Sequence, residues 1–379
     1  MDRRTFLKSS LAAGVAPPIL KRSRSAKPQS VNRAAADLYK KALSVDAMCF
    51  TTEQYIASLD AKRVEALRQS GISLISLDVS IGGGEGMGSR EWPVVLHQIT
   101  QWNEFFRAHA DVFFRVRTNE EVLRAKREGK VGIVYNLQDT SPIALNLDRV
   151  GLYYDLGVRQ IQLSHNQRNF CVDSCWELTN AGLSRFGKRL IRRLNERRIL
   201  VDVAHVGDQS ALETITLSTA PVLASHTGCY ALCPHPRSKK DPIIRAIAEK
   251  GGVICIYNMS GWMTSEKALS MDIYLRHLKH ALDVAGEDHV GFGTDGDPSA
   301  MSPEQREWEI KFSQDTFNGQ VREHPQLSWP ITHIRIPELD SPLRLLHLID
   351  AMHRAGYPDR VIEKVIGGNY MRLFRDVVG

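Results

Sequence analysis

Short apolar runs recur along this chain after residue 40, and the segments between them keep the spacing of amphipathic helices. The runs cover residues 43–50, 73–80, 131–138, 160–165, 200–206, 221–227, 252–258 and 289–296. Strands that alternate with helices and read as continuous apolar runs are typical of a parallel sheet that is covered on both faces. Eight such units predict an α/β fold, a (β/α)8 or TIM barrel, rather than an open doubly wound sheet. No G-x-G-x-x-G fingerprint of a dinucleotide site follows the first run.

One domain accounts for most of the 379 residues. We predict a single barrel domain over residues 35–379, because the strand–helix rhythm continues to the last run and two further helical patterns close the chain. Residues 297–340 break this rhythm and are rich in Pro, Gln, Glu and Trp. We therefore expect an excursion over these residues at the carboxyl-terminal face of the barrel.

The first 34 residues are set apart by their charge and by a targeting motif. Residues 1–30 hold seven basic residues and one acid, which equals the whole net charge of +6, so nothing electrostatic supports a nucleic-acid partner. The run R-R-T-F-L-K at residues 3–8 resembles a twin-arginine export signal. We expect residues 1–34 to be a leader and linker that directs the protein to the periplasm, either cleaved or retained as an anchor.

The remainder of the chain contains no membrane span by sequence. No run of ~18 uncharged apolar residues occurs, so we predict no transmembrane segment beyond the leader. Export would permit disulfides, and the spacing of the six cysteines leaves their pairing open.

Four polar side chains close four different predicted strands. They are His165, His205, His226 and Asp295. In a barrel of this type the active site lies at the carboxyl ends of the strands, so these side chains are expected to converge. Imidazoles on neighbouring strands can share a Zn²⁺ ion, and a carboxylate opposite them can act as a ligand or a base. The pattern predicts a metal-binding or catalytic constellation.

The sequence resembles the membrane (renal) dipeptidase family, peptidase family M19. The resemblance rests on the run G-V-R-Q-I-Q-L-S-H-N at residues 157–166, on Asn195, and on residues 182–187, 201–206, 221–227 and 290–297. It implies a (β/α)8 barrel of the metal-dependent hydrolase type that cleaves dipeptides with the help of zinc. It further implies that His205 and His226 bind the metal, that His165 and Arg237 contact the substrate, and that Asp295 handles a proton.

The sequence departs from the family pattern at three metal positions. Met48 and Phe50 stand where the family has a histidine and an aspartate, and Gln138 stands where it has a bridging glutamate. These replacements predict one zinc ion rather than two, because Met and Phe offer a hard cation no ligand and an amide is a poor bridge. Asp46, Cys49 or Asp139 could instead act as substitute ligands, although strand alternation argues against the cysteine.

Three functions therefore stay open at the level of sequence. The first is a metal-assisted hydrolase of a dipeptide or a related small amide with a free carboxylate, in which Asp295 and His165 take part in catalysis. The second is an inactive dipeptidase-like binding protein, and the third is a different reaction on the same barrel. The family resemblance also leaves a homodimer open.

Overall fold

The computed structural model describes residues 32–50, 59–80, 90–266, 270–323 and 334–379. Within these ranges the chain forms nine strands: β1 (Val45–Phe50), β2 (Leu74–Asp78), β3 (Phe113–Arg115), β4 (Val131–Leu137), β5 (Val158–Gln162), β6 (Leu200–Asp202), β7 (Leu223–Thr227), β8 (Val253–Ile256) and β9 (Val290–Phe292). The leader prediction, residues 1–34, falls almost entirely outside the described residues.

The strands form a nearly closed parallel barrel. Their order is β1-β2-β4-β5-β6-β7-β8-β9, and all the described strand pairs are parallel. β1 meets the chain after β9 across the seam, where the amide of Asp295 donates to the carbonyl of Met48 at 2.9 Å and the amide of Phe50 donates to the carbonyl of Gly296 at 3.1 Å. The predicted fold class is confirmed.

The described residues also form fourteen α-helices, most of which connect one strand to the next. They are α1 (Arg33–Lys41), α2 (Ala61–Ser70), α3 (Trp92–Ala108), α4 (Asn119–Arg127), α5 (Asp148–Asp155), α6 (Arg185–Glu196), α7 (Asp208–Leu217), α8 (Asp241–Glu249), α9 (Ser260–Met263), α10 (Met271–Ala285), α11 (Pro303–Glu323), α12 (Arg344–Arg354), α13 (Asp359–Glu363) and α14 (Asn369–Val377). Among them, no helix is both apolar enough and long enough to cross a bilayer.

Each of the eight predicted strands is present, but most are shorter than their apolar runs. β6, for example, covers only three residues of the predicted run 200–206. The additional strand β3 pairs with the first residues of β4, outside the barrel path. The region expected to be an excursion, residues 297–340, contains the long helix α11 and a short 3₁₀ turn, Pro337–Leu339. All six cysteines are free thiols.

A layer of polar side chains crosses the barrel interior below the carboxyl ends of the strands. Asn136 donates to Ser76 at 2.9 Å, Ser76 donates to Gln160 at 3.0 Å, and the amide of Gln160 donates to Asp202 at 3.0 Å. Tyr370 on α14 donates to the same Gln160 oxygen at 3.0 Å. Buried polar groups are costly unless they are hydrogen-bonded, so this network holds these side chains in place directly below the side chains at the strand ends.

The amino-terminal end of the barrel is filled by apolar side chains of α14. Met371, Leu373 and Phe374 pack against Val45 and Leu74, the first residues of β1 and β2. A separate and larger core lies between the strands and the surrounding helices. The outer face of the sheet is covered by helices and the amino-terminal end of the barrel is filled. A functional site is therefore expected at the carboxyl ends of the strands.

Candidate active site

Three of the four strand-end residues come together at the carboxyl ends of the strands. His205 follows β6, His226 lies in β7 and Asp295 follows β9, and one ligand atom of each lies within 4.8 Å of the other two. Gly293 allows the close approach, because a Cβ atom there would lie 2.0 Å from the carbonyl oxygen of Ser225. Among the described residues, this buried trio is the group of His, Cys and carboxylate side chains that could hold a metal ion.

Hydrogen bonds leave the Nε2 atoms of the two histidines facing each other. Nδ1 of His205 donates to the side-chain oxygen of Asn166 at 3.0 Å, and Nδ1 of His226 lies 2.7 Å from Oγ of Ser225. The two Nε2 atoms are 2.8 Å apart. A neutral imidazole with its proton on Nδ1 has a bare lone pair on Nε2, which is the form that binds metals. Two such lone pairs repel at this distance unless a proton or a cation lies between them.

Burial controls the protonation of this group. It lowers the pKa of His205 and of His226 well below the usual value, and the positive charge of Arg237 lowers both further. Burial raises the pKa of Asp295, whose Oδ1 lies 3.7 Å from Nε2 of His226, while the positive charges of Arg335 and Arg237 oppose that rise. Both imidazoles are therefore neutral, as metal coordination requires.

Asp295 is held by an unusual backbone conformation. Its φ of +54° lies in the left-handed region, which costs a non-glycine residue roughly 1–3 kcal/mol. Arg335 forms a buried ion pair with Glu309 and donates from Nη1 to the carbonyl of Thr294 at 3.0 Å, directly before this residue. The surrounding structure thus maintains a strained conformation that turns the carboxylate toward the histidines.

The donor set suits a first-row divalent metal such as Zn²⁺. Catalytic zinc sites usually have three protein ligands, and two imidazole nitrogens with one carboxylate oxygen are a common set. The two Nε2 atoms lie 2.8 Å apart, so both imidazoles turn a nitrogen that could bind a metal toward the same point. We therefore identify His205, His226 and Asp295 as a candidate metal site.

The three replaced family positions add no strong metal ligand to this site. The Met48 side chain is fully buried and that of Phe50 is half-buried, and neither can ligate a hard cation. Gln138 lies closer: its Nε2 is 3.5 Å from Nε2 of His226, and its Oε1 accepts a hydrogen bond from Arg90 at 3.3 Å. A neutral amide thus borders the candidate metal site at the position where the family resemblance implies a carboxylate.

The substitute ligands that the sequence left open are engaged elsewhere. A register shift between Asp46 and Cys49 interrupts the alternation of β1. Asp46 forms a buried ion pair with Arg344 of α12 at 2.9 Å, and the thiol of Cys49 lies 3.9 Å from the same guanidinium. Asp139 accepts the backbone amide of His165 at 2.7 Å. None of the three joins the trio of metal-binding side chains.

His165 and Arg237 border the trio from the side of β5 and β6. The ring of His165 stacks on that of His205, with centroids 4.4 Å apart. Arg237 is fully buried, and it donates to the carbonyls of Ala204 at 2.7 Å and His226 at 3.2 Å. Within the described part of the chain, its Nε has no hydrogen-bond partner. Both residues therefore lie at the site, and their roles toward a substrate stay predictions.

The structure adds residues that the sequence did not single out. Asn166 sets the tautomer of His205, Arg90 contacts Gln138, and the Arg335–Glu309 pair supports the strand end that carries Asp295. Asn166 directly follows a predicted site residue, so its position was a usable signal. Arg90, Glu309 and Arg335 belong to no strand end or motif, and only the folded chain brings them to the site.

Sequence comparison finds relatives among dipeptidases. A family model described as membrane dipeptidase, peptidase family M19, matches residues 43–310. The chain is 25% identical over 285 residues to the dipeptidase tcpJ of Claviceps purpurea strain 20.1, an alignment that covers 74% of this chain and 59% of that protein. The chain thus spans about three fifths of the length of this curated relative.

Solved structures share the fold over nearly their whole length. An amidohydrolase from Pseudomonas aeruginosa is 25% identical, with a TM-score of 0.76, and the match covers 91% of this chain and 99% of that one. A metallopeptidase from Rhodobacter sphaeroides, crystallised with a phosphinate mimic of the dipeptide L-Ala-D-Ala, is 18% identical, with a TM-score of 0.69 and coverages of 89% and 99%.

Proposed function

Since the chain belongs to the membrane dipeptidase family, peptidase family M19, we propose that it is a hydrolase that cleaves a dipeptide, or a related small amide with a free carboxylate, with the help of one metal ion. The observation that carries this proposal is the buried trio His205, His226 and Asp295, whose ligand atoms lie within 4.8 Å of one another, with the two imidazole Nε2 atoms 2.8 Å apart. A divalent cation held there would supply Lewis-acid activation of water and of the amide carbonyl.

The side chains of this chain would position the reaction. Asn166 and Ser225 fix the orientation of the two imidazoles through their Nδ1 atoms, a role that metal sites usually give to residues behind the ligands. Oδ1 of Asp295 lies 3.7 Å from Nε2 of His226, and the side chain of Gln138 opposes the rise in the pKa of Asp295 that burial causes. That carboxylate is the best-placed group in the site to complete the ligand set or to accept a proton.

His165 and Arg237 would bind the substrate. The imidazole of His165 is only partly buried and its ring lies against His205, so it would lie beside an amide bound at the metal site. Arg237 keeps donors available beyond the two that it gives to backbone carbonyls, and its unpartnered Nε is one of them. A guanidinium edge of this kind suits a substrate carboxylate. These roles follow the family resemblance and agree with the placement of both side chains at the site.

Hydrolysis of L-Ala-D-Ala by metal-loaded protein tests this function. We chose this dipeptide because the Rhodobacter sphaeroides neighbour was crystallised with its phosphinate mimic. We expect turnover that requires added metal and that is lost, together with metal binding, in His205→Ala. Asp295→Asn should lower turnover more than it lowers binding of the dipeptide. Absence of turnover on a panel of dipeptides, with metal bound, would contradict the proposal.

A dipeptidase-like binding protein is the second candidate. The observation that favours it is the replacement of three family metal positions by Met48, Phe50 and Gln138, which removes the carboxylate beside His226. Calorimetry separates the two candidates. A binding protein would bind the dipeptide with no turnover, and His205→Ala would leave the affinity unchanged.

A further inference from the structure

Arg90 places a positive charge at the edge of the candidate site. It lies two residues before α3, and its Nη2 donates to Oε1 of Gln138 at 3.3 Å. Its Nη1 is buried and has no hydrogen-bond partner among the residues that the structure describes. No ion pair joins Arg90 to a carboxylate in the described part of the chain. A buried guanidinium nitrogen without an acceptor is costly, so this geometry points to an oxygen ligand from outside the protein.

The charge of Arg90 acts on the site itself. It is one of the causes that hold the pKa of His165 and of His205 below the usual value, after the larger effect of burial. It also opposes the burial that raises the pKa of Asp78, at the end of β2. Asp78 forms no hydrogen bond with Arg90: its Oδ1 accepts from Ser80 and from the backbone amide of Gln138, and its buried Oδ2 has no hydrogen-bond partner among the described residues.

Arg90 and Arg237 stand at different sides of the histidine pair. Arg90 contacts Gln138, which follows β4, whereas Arg237 donates to the backbone after β6 and in β7. In the barrel order β5 and β6 separate β4 from β7. If Arg237 receives the terminal carboxylate of a dipeptide, Arg90 faces the part of the substrate on the other side of the bond to be cleaved.

We propose that Arg90 binds a second anionic group of the substrate, carried by the residue on the amino side of the cleaved bond. The inference rests on the proposed function and narrows its substrate class to dipeptides with an acidic amino-terminal residue. The ligand chemistry is a carboxylate, which a guanidinium binds through charge-assisted hydrogen bonds.

A pair of isosteric dipeptides tests the proposal. L-Glu-L-Ala and L-Gln-L-Ala differ by one charge, so their ratio of kcat/KM isolates the contribution of the second carboxylate. If Arg90 forms a charge-assisted hydrogen bond with the Glu side chain, kcat/KM of the wild-type protein should be roughly tenfold to hundredfold higher for the Glu dipeptide than for the Gln dipeptide. Arg90→Met should reduce the ratio to about one, and Arg90→Lys should keep part of it.

Arg149→Gln is the matched control. Arg149 stacks on Trp92 at 4.8 Å, near the same helix end, and donates to the carbonyl of Pro142. Its loss should leave the Glu-to-Gln ratio unchanged. If Arg90→Met lowers kcat/KM for both dipeptides equally, Arg90 has a structural role or holds a group that both share, and the proposal is wrong.

Binding measurements keep the proposal separate from the proposed function. If the wild-type protein hydrolyses neither dipeptide, calorimetric titration with the same pair replaces the kinetic ratio. A preference for L-Glu-L-Ala that disappears in Arg90→Met supports the anion site even though the hydrolase proposal fails. Equal affinity for the two dipeptides in the wild-type protein overturns it. Should Arg90→Met not fold, Arg90→Gln, which also removes the charge, gives the same readout.

Discussion

Replacement of Asn166 should weaken metal binding although Asn166 touches no metal. Its side-chain oxygen accepts the Nδ1 proton of His205 at 3.0 Å, which leaves Nε2 of that ring bare. In Asn166→Leu the buried N–H loses its acceptor, or the proton moves to Nε2 and blocks the lone pair. An unsatisfied buried donor costs about 1–3 kcal/mol, which corresponds to roughly a 5- to 150-fold weaker affinity.

The affinity is measured by competition of the protein with a chelator for Zn²⁺. We expect the dissociation constant of Asn166→Leu to rise by about tenfold to a hundredfold, while Asn166→Asp, which keeps an acceptor, should stay close to the wild-type value or bind more tightly. Asn195→Leu is the control, because Asn195 donates to Ser218 at 3.1 Å and accepts from Thr219 at 2.8 Å far from the site. It should lower stability and leave the affinity unchanged. An unaltered dissociation constant in Asn166→Leu would refute the reasoning.

Three further outcomes follow from buried groups. Burial lowers the pKa of His277 from the usual 6.5 to about 4, so the unfolded chain binds more protons than the folded chain between these pH values. As the pH drops from 6.5 to 4, the free energy of unfolding should therefore fall by up to about 3 kcal/mol more for the wild type than for His277→Gln in urea titrations. Parallel curves for the two proteins would contradict this. Arg344→Met leaves Asp46 as an unpaired buried charge and should cost about 3–5 kcal/mol in the same assay, whereas Arg354→Met, on the exposed end of the same helix, should cost less than about 1 kcal/mol. Gln138→Glu puts a carboxylate beside the histidine pair and should tighten metal binding in the chelator assay; weaker binding would mean that the amide is needed.

The barrel was predictable because its signal is local. Strands of a parallel barrel are buried on both faces, so each reads as an apolar run, and the eight runs gave the correct order and fold. Strand ends were less predictable. The apolar run that predicted β6 continues to residue 206, whereas the strand itself ends at Asp202, before His205. β3 has three residues, Phe113–Arg115, which is too short for a periodic pattern to detect.

The site was only partly predictable, because several of its contacts join distant parts of the chain. Strand alternation placed Asp46 on the same side as Met48, but the register shift in β1 and the ion pair with Arg344, 298 residues away, direct it elsewhere. The strand-end histidines and Asp295 could be found because a barrel places all its strand ends at one mouth. Arg90 could not, because nothing in its neighbouring residues indicates that Gln138 lies within hydrogen-bond distance.

The number of metal ions per chain tests the central claim most directly. The purified protein would be loaded with zinc, freed of excess metal, and measured by elemental analysis and native mass spectrometry, with His205→Ala as the matched control. A site built from His205, His226 and Asp295, with no further metal ligand from Met48 or Gln138, predicts one ion per chain and none in the variant. Two tightly bound ions, or none in the wild-type protein, would contradict it.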